Sequence, residues 1–267
     1  MESTQQTRDS LLDAAEFLFA EKGIQATSLR AVTRRAGANL AAVNYHFGSK
    51  DGLVREVFRR RLEPVNQERL RLLNLAEEAA EGSELELEEV LSAFFLPVLR
   101  LQSGGMGPET EAGPKTEAGS RTEAGTEADA SSGRQDSAET LRRLMGRTFS
   151  EPGLEMQRLM EGQFEVILRR FTAALHRCLP HLSAPELLWR LHFMVGAVIQ
   201  VTLNGSMICQ VSEGRCDPQD VETLQRVLVT YAAAGMRAPA ALDEDLSLPP
   251  CLAADSPAAG SPAEGEA

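Results

Sequence analysis

Glycines at positions 23, 37 and 48 interrupt a helical pattern three times within the first fifty of the 267 residues. Glycine favours the turn that ends a helix, so the segments between these positions are limited to short helices. Apolar side chains recur at helical spacing in the first segment, at Leu11, Ala15, Leu18 and Phe19. The pattern predicts a first helix over 7–22, a second of barely two turns over 29–36, and a third that begins after Asn39 and ends at Gly48.

The rest of the chain also has a helical pattern. A fourth helix is expected after Ser49, and Pro64 should kink or interrupt it before a polar helical stretch that continues to residue 75. Further helices are predicted over 84–101, 140–149, 152–179, 185–208 and 218–236. Three of these begin with a proline near the first helical position, where the missing N–H would have no partner. With about nine helices and no convincing strand, the predicted fold class is all-α.

Two segments have a composition that cannot support a packed core. Residues 103–138 almost entirely lack large apolar side chains and repeat Thr-Glu-Ala-Gly, beginning at Thr110, Thr116 and Thr122. The end of the chain, 239–267, is an acidic tail rich in Ala, Pro and Ser. We expect both to be disordered because they have too little apolar surface to bury. The predicted domains are an N-terminal domain over 4–64 and a C-terminal body over 65–238 that contains the insertion 103–138.

The charge distribution points to an anionic partner at one end of the chain. The net charge of −12 and the pI of about 4.9 argue, taken alone, against nucleic acid. Residues 1–71, however, hold 12 Lys and Arg against 9 Asp and Glu, so this part carries +3 and the rest −15. A basic module on an acidic body directs one face towards phosphates. Within this module, the arginine run 59–61 is interpreted as solvated or paired with Glu56 and Glu63 rather than bound to DNA.

Several function classes find little support in the sequence. It contains no Gly-rich phosphate loop, no GxSxG and no paired His ligands, and its four cysteines form no CxxC pair or zinc-type cluster. We therefore expect no enzymatic activity, metal or cofactor. No stretch reaches the roughly 18 uninterrupted apolar residues of a membrane span. Because the first eight residues are polar as well, a cytoplasmic protein without membrane association is predicted.

Three short helices with a glycine-containing turn between the second and third form a helix-turn-helix, whose third helix enters the major groove of DNA. Thr27, at the start of the second helix, and Lys50, at the start of the fourth, can present polar groups to phosphates. Small side chains on the outward face of the third helix allow close approach to base edges, and Asn44 can pair with adenine. The residues predicted to contact DNA are Thr27, Asn39, Leu40, Ala41, Ala42, Asn44 and Lys50.

The order of motifs between residues 7 and 62 is distinctive: the apolar helix 12–19 with Gly23, Thr27-Ser28, Ala36-Gly37, the run Asn44-Tyr45-His46-Phe47, and Lys50. This module resembles the TetR family of transcriptional regulators, including the aromatic end of the recognition helix and the lysine that follows it. The resemblance implies that Tyr45 and His46 contact backbone phosphates and that Phe47 is a core anchor. It also implies a repressor that binds a palindromic operator on double-stranded DNA as a homodimer.

The segments 141–171 and 189–197 are similar to the C-terminal domain of TetR members that respond to fatty acids or acyl-CoA. The resemblance implies a small apolar ligand, and a dimer interface made by the last two helices. Met and Phe form adaptable apolar walls for such a ligand, although the same residues could equally be ordinary core. The predicted pocket consists of Phe94, Phe95, Met145, Phe149, Met160, Phe164, Ile167, Phe171 and Met194. Arg190 and His192 are candidates for the ligand's head group, or else lie in the dimer interface or on the surface.

Two other interpretations stay open. An enzyme would turn over a small molecule in the body and show no sequence-specific DNA binding through its N-terminal domain. A protein-interaction module could retain the helix-turn-helix fold without sensing a ligand. A search for an operator distinguishes the latter from a regulator, since a regulator has a tight palindromic site and an interaction module has none.

Overall fold

The computed structural model describes residues 2–80, 83–102, 140, 142–144 and 154–241, with side chains described from residue 4 of the first helix and from residue 164 of the sixth. Eight helices follow one another in these ranges, and the described part contains no strand, which confirms the all-α prediction. In chain order they are α1 (Glu2–Lys22), α2 (Leu29–Ala36), α3 (Leu40–Phe47), α4 (Lys50–Ala79), α5 (Leu87–Gln102), α6 (Leu154–Cys178), α7 (Ala184–Val211) and α8 (Val221–Arg237).

Helices α1 to α3 and the first half of α4 share one apolar core. Phe19 of α1, Val43 of α3 and Leu53 of α4 are almost completely buried in it. The turn between α2 and α3 passes through Gly37, whose φ of +64° lies in the left-handed region that other residues rarely adopt. This turn sets α3 across α2, as in a helix-turn-helix.

Helix α4 continues from Lys50 to Ala79, so of the kink or interruption expected at Pro64, the interruption does not occur. Pro64 lies inside it and removes only the N–H that would bond the Arg60 carbonyl. Contacts on both sides of Pro64 bury Val57 and Leu73 in two different cores, and these contacts hold the helix together. The boundary that we place between residues 64 and 65 therefore falls within one helix.

The second half of α4 packs with α5 to α8 around the larger core of the C-terminal body. Of the two described helix starts where a proline was expected, one agrees with the prediction and one differs. Pro185 does lie in the first turn of α7. Helix α8, however, begins at Val221, and its N-cap is Asp220, whose side chain accepts a hydrogen bond from the Thr223 N–H.

The helical residues 140 and 142–144 lie against the N-terminal part of the chain. Leu144 is fully buried in the core of α1 to α4, and Arg143 forms an ion pair of 2.7 Å with Glu21 of α1. The predicted insertion 103–138, the segment 145–153 and the tail beyond residue 241 lie outside the described residues.

Helix α7 is long and apolar enough to cross a membrane by length and composition, with a mean hydropathy of 1.4 over its best window. Only 22% of that window is buried inside the chain. The sequence has no uninterrupted apolar run of that length, because polar residues such as Arg190, His192 and Gln200 interrupt the helix.

Candidate nucleic-acid interface

Helix α3 buries one side and exposes the rest of its surface. Val43 and Phe47, one turn apart, face the core. Leu40, Asn44 and Tyr45 are exposed, and 79% of Tyr45 is accessible to solvent. Ala41 is exposed as well, and Ala42 is half-buried. An α-helix with its side chains is about 10–12 Å across, close to the width of the major groove of B-DNA.

Side-chain caps fix where the helices of this module start. The Asn39 Oδ1 accepts a hydrogen bond of 2.9 Å from the Ala42 N–H, and the Ser49 Oγ accepts one of 3.0 Å from the Gly52 N–H. These bonds satisfy N–H groups that the first turn of a helix leaves unpaired. Asn39 is thus a capping residue that lies exposed at the edge of the candidate interface.

The structure corrects the expectation for Thr27. Its side chain is buried, and its hydroxyl donates within the chain, to the carbonyl oxygens of Gly23 at 2.8 Å and Leu18 at 3.2 Å. Its N–H donates to the Ile24 carbonyl. Neither group is available for a phosphate. The exposed Ser28 caps α2 instead, by accepting a hydrogen bond from the Ala31 N–H.

Lys50 and His46 lie beside the turn that joins α3 to α4. The Lys50 Nζ donates to the carbonyl of Gln25 at 3.3 Å, across the surface of the module. His46 is half-buried, with its ring centroid 5.0 Å from that of Tyr45 and 5.9 Å from that of Phe47. His46 thus lies against the exposed Tyr45, and Lys50 contacts the segment between α1 and α2.

The segment that contains α3 is strongly basic, and the length of its acid-free run was not predicted. Between Glu21 and Asp51 the chain has no acidic residue. The cations of this segment form no ion pair within the described residues; they are Lys22, Arg30, Arg34, Arg35 and Lys50. The signal was the complete absence of Asp and Glu over 29 residues, which the net charge of residues 1–71 conceals.

Three successive arginines of α4, Arg59, Arg60 and Arg61, are in contrast bound to carboxylates. Arg59 pairs with Glu56 and Glu63, as predicted, and its hydrogen bond holds the pKa of Glu56 below the usual range. Arg60 and Arg61 were not predicted to pair with α1. Both reach Glu16, a carboxylate that is only 3% exposed, at 2.6 and 2.5 Å.

The candidate ligand residues come together in the core of the body. Phe94 and Phe95 of α5 contact each other, and the ring of Phe94 lies 5.1 Å from that of Phe171. Ile167 and Met194 are buried in the same core, and Phe164 is half-buried. The side chains of Met145, Phe149 and Met160 lie outside the described part of the chain.

Arg190 has a structural role that the sequence did not suggest. It pairs with the buried Glu186 at 2.6 Å and donates to the carbonyl oxygens of Gly235, Met236 and Ala238. These bonds satisfy the C-terminus of α8. His192 is exposed. Neither residue lies in the core with the candidate ligand residues.

The outer faces of α7 and α8 expose large apolar side chains. Trp189 and Phe193 stack on each other, with 64% of Phe193 exposed, and α8 adds Val227 and Tyr231. The end of α7 continues the same pattern with Met207, Ile208 and Val211. A monomeric surface rarely exposes so many large apolar groups along two adjacent helices.

Comparison with known families agrees with this geometry. A family model described as "Bacterial regulatory proteins, tetR family" matches residues 11–57, and one described as "Tetracyclin repressor-like, C-terminal domain" matches residues 127–235. Together they cover more than half of the chain. The chain belongs to the TetR family. The TetR-type regulator predicted from residues 7–62 is thereby confirmed, and the second match begins inside the segment 103–138 that we interpret as an insertion.

Curated TetR relatives match over a short part of their length. The repressor KstR2 of Rhodococcus jostii is 42% identical over 52 residues, which is 20% of this chain and 26% of that protein. The regulator AcrR of Shigella flexneri is 35% identical over 57 residues, or 21% and 26%. The chain thus matches about a quarter of the length of these relatives.

Solved TetR-type structures share the whole fold at low identity. SmeT, the repressor of the Stenotrophomonas maltophilia multidrug efflux pump SmeDEF, is 18% identical with a TM-score of 0.51, over 92% of this chain and 99% of SmeT. The fatty acid degradation regulator FadR from Bacillus halodurans is 13% identical with a TM-score of 0.52, over 84% and 94%. At these identities the likeness concerns the fold alone.

Proposed function

We propose that this TetR-family regulator binds a palindromic operator as a homodimer, represses transcription, and is released by a small apolar ligand. The observation that carries the proposal is the outward face of α3. It projects Asn44 and Tyr45 into solvent from the middle of a 29-residue segment that has five cations and no acid. Phosphates attract such a surface, and the acidic remainder of the chain keeps DNA to this side.

The exposed residues divide into two roles. Asn44 reads a base edge, because a carboxamide matches the donor and acceptor of adenine, while Leu40, Ala41 and Ala42 permit close approach. Tyr45, His46 and Lys50 contact phosphates and position the helix. Asn39 holds the first turn of α3 and contributes through that cap. Thr27 supports the module from inside, through the two carbonyls that it binds.

The dimer forms through the outer faces of α7 and α8. A second copy of the chain has the same apolar stripe of Trp189, Phe193 and Tyr231. The two stripes can therefore pack against each other across a two-fold axis. Two recognition helices then face successive major grooves of a palindrome. The dimer also accounts for the low burial of α7 without a membrane, and it agrees with a cytoplasmic protein.

The ligand occupies the aromatic part of the body core. Its support is the cluster of Phe94, Phe95 and Phe171, whose rings lie 5.1 to 5.7 Å apart. Rings and methionines of this kind adapt to an acyl chain. The resemblance of segments 141–171 and 189–197 to members that respond to fatty acids favours the same class.

Operator selection with the full-length protein tests the DNA part. A random duplex library should yield one palindromic site, and Asn44→Ala should relax the preference at one base pair per half-site. Lys50→Ala should weaken binding to all sequences equally. If selection returned no enriched site, the helix-turn-helix interaction module would be the better interpretation, and binding of a protein partner would then be expected to require the exposed face of α3.

A further inference from the structure

Arg69 of α4 is a buried cation for which the described residues supply no counter-ion. Its side chain is 6% exposed, and no carboxylate forms an ion pair with it. Burial lowers the pKa of its guanidinium to about 10. Among the described residues, two other charged side chains are buried and both are paired: Glu16 binds two arginines and Glu186 binds Arg190.

Contacts within the chain account for only some of the hydrogen-bond donors of the Arg69 side chain. Its Nε donates to the Phe94 carbonyl at 2.9 Å, and its Nη1 donates to the Asn66 Oδ1 at 3.3 Å. Pro97 leaves the carbonyl of Ala93, rather than that of Phe94, without its helical donor, so the Nε bond does not replace the missing N–H. A neutral amide can make hydrogen bonds of this kind, and only the stacking on Phe94 uses the positive charge. One aromatic ring is a weak substitute for a carboxylate around a buried guanidinium.

The position of this cation connects it to the candidate ligand cluster. The Arg69 guanidinium lies over the face of Phe94, 4.3 Å from the ring centroid, and Phe94 in turn contacts Phe171. Thr172, the next residue of α6 after Phe171, has a fully buried hydroxyl that makes no hydrogen bond within the described chain. An apolar aromatic core with a cation at its edge that has no counter-ion is suited to a ligand that is apolar along its length and anionic at one end.

We propose that Arg69 is the receptor for a carboxylate at the head of the ligand, with the apolar chain of the ligand against Phe94 and Phe171. The guanidinium fork binds the two oxygens of a planar carboxylate. This proposal rests on the proposed apolar ligand and narrows it to an amphipathic monoacid. It excludes neutral apolar compounds as the preferred ligand class.

Binding of two matched probes to the full-length protein tests the proposal. Dodecanoate and dodecanol have the same chain and differ in the charge of the head group, and calorimetry measures the affinity of each. The wild-type protein should bind dodecanoate roughly 10- to 100-fold more tightly than dodecanol, since hydrogen bonds to charged groups are the stronger class. Arg69→Gln retains a donor for the Phe94 carbonyl and removes the charge, so it should abolish the preference and leave dodecanol binding unchanged.

Melting of the unliganded variants separates this role from a structural one. Arg69→Gln and the isosteric Arg69→Met should melt at or above the wild-type temperature, because each removes an unpaired buried charge. A lower melting temperature in both variants, with both probes weakened equally, would identify Arg69 as a structural residue and overturn the proposal. Equal affinity of the wild type for both probes would also overturn it while leaving an apolar sensor in place. If the wild type bound neither probe, the proposed apolar ligand would itself be refuted.

Discussion

Operator binding should weaken steeply with salt although the protein carries a net charge of −12. The acid-free segment 22–50 has four cations per subunit without a partner carboxylate or a covering ring in the described residues: Lys22, Arg30, Arg34 and Lys50. Arg35 is not counted, because its guanidinium stacks on Phe17 at 3.6 Å. If a dimer matches eight cations to phosphates, the logarithm of the affinity falls with the logarithm of salt at a slope of about −7. Between 50 and 200 mM salt, this slope corresponds to a loss of about 10⁴-fold in affinity.

Single substitutions measure the share of each cation. Lys50→Ala removes one phosphate contact per subunit and should make the slope shallower by about 2 in the dimer. Arg71→Ala is the matched control, because this arginine lies on α4 and is bound to Glu68 at 2.6 Å. It should leave the slope unchanged. Fluorescence anisotropy of a labelled operator at five salt concentrations gives both slopes.

Two results would refute this reasoning. A wild-type slope shallower than about −3 would mean that most of the acid-free segment does not face phosphate. An equal change of slope in both variants would mean that removal of any positive charge matters, and that the position of Lys50 beside α3 does not.

Three further outcomes follow from the structure. Glu16→Gln leaves two arginines without their buried partner and should lower the free energy of unfolding by about 2 kcal/mol in denaturant titrations. The loss is smaller than for a fully buried pair because both arginines are partly exposed. Glu21→Gln is the control and should change the free energy of unfolding by under about 0.5 kcal/mol, since its ion pair is exposed. Gly196→Leu should yield monomers in sedimentation experiments without lowering the helix content, because a Cβ at this position meets no atom of its own subunit within 4 Å. Gly205→Leu should lower the helix content as well, because its side chain would collide with Pro218 of the same subunit. Deleting residues 104–137 should leave the melting temperature and operator affinity nearly unchanged, because loop length adds entropy only slowly; a large fall in either would show that this segment packs.

The sequence was sufficient for features that depend on local chemistry. Helix ends at Gly37 and Gly48 follow from the need for a residue that tolerates positive φ, and both appear as predicted. The pairing of Arg59 with Glu56 and Glu63 also follows from helical spacing. Such features require no knowledge of which helices meet.

Features that depend on packing between distant segments could not be predicted. Glu16 and Arg60 are separated by 44 residues, and only the contact of α1 with α4 brings them together. By sequence, Thr27 and Ser28 are equally good N-caps for α2. The Thr27 hydroxyl is buried and bonds the carbonyls of Leu18 and Gly23, which leaves the cap to Ser28. By sequence, Arg69 is one more charged residue on a polar helix. Its burial against Phe94 depends on the packing of α5 against α4, which the residues around Arg69 do not reveal.

The continuity of α4 determines how the two halves of the protein can move relative to each other. Before Pro64, Glu56 binds Arg8 of α1, and beyond it, Glu77 binds Arg170 of α6 at 2.9 Å. Each half of the helix is therefore attached to a different core by directional contacts. At Pro64 the helix lacks one backbone hydrogen bond, so bending the helix there costs less free energy than breaking either attachment. Because Lys50 and Arg69 lie on opposite sides of this turn, a change in bend would alter the spacing of the two recognition helices in a dimer without disturbing the fold of either domain.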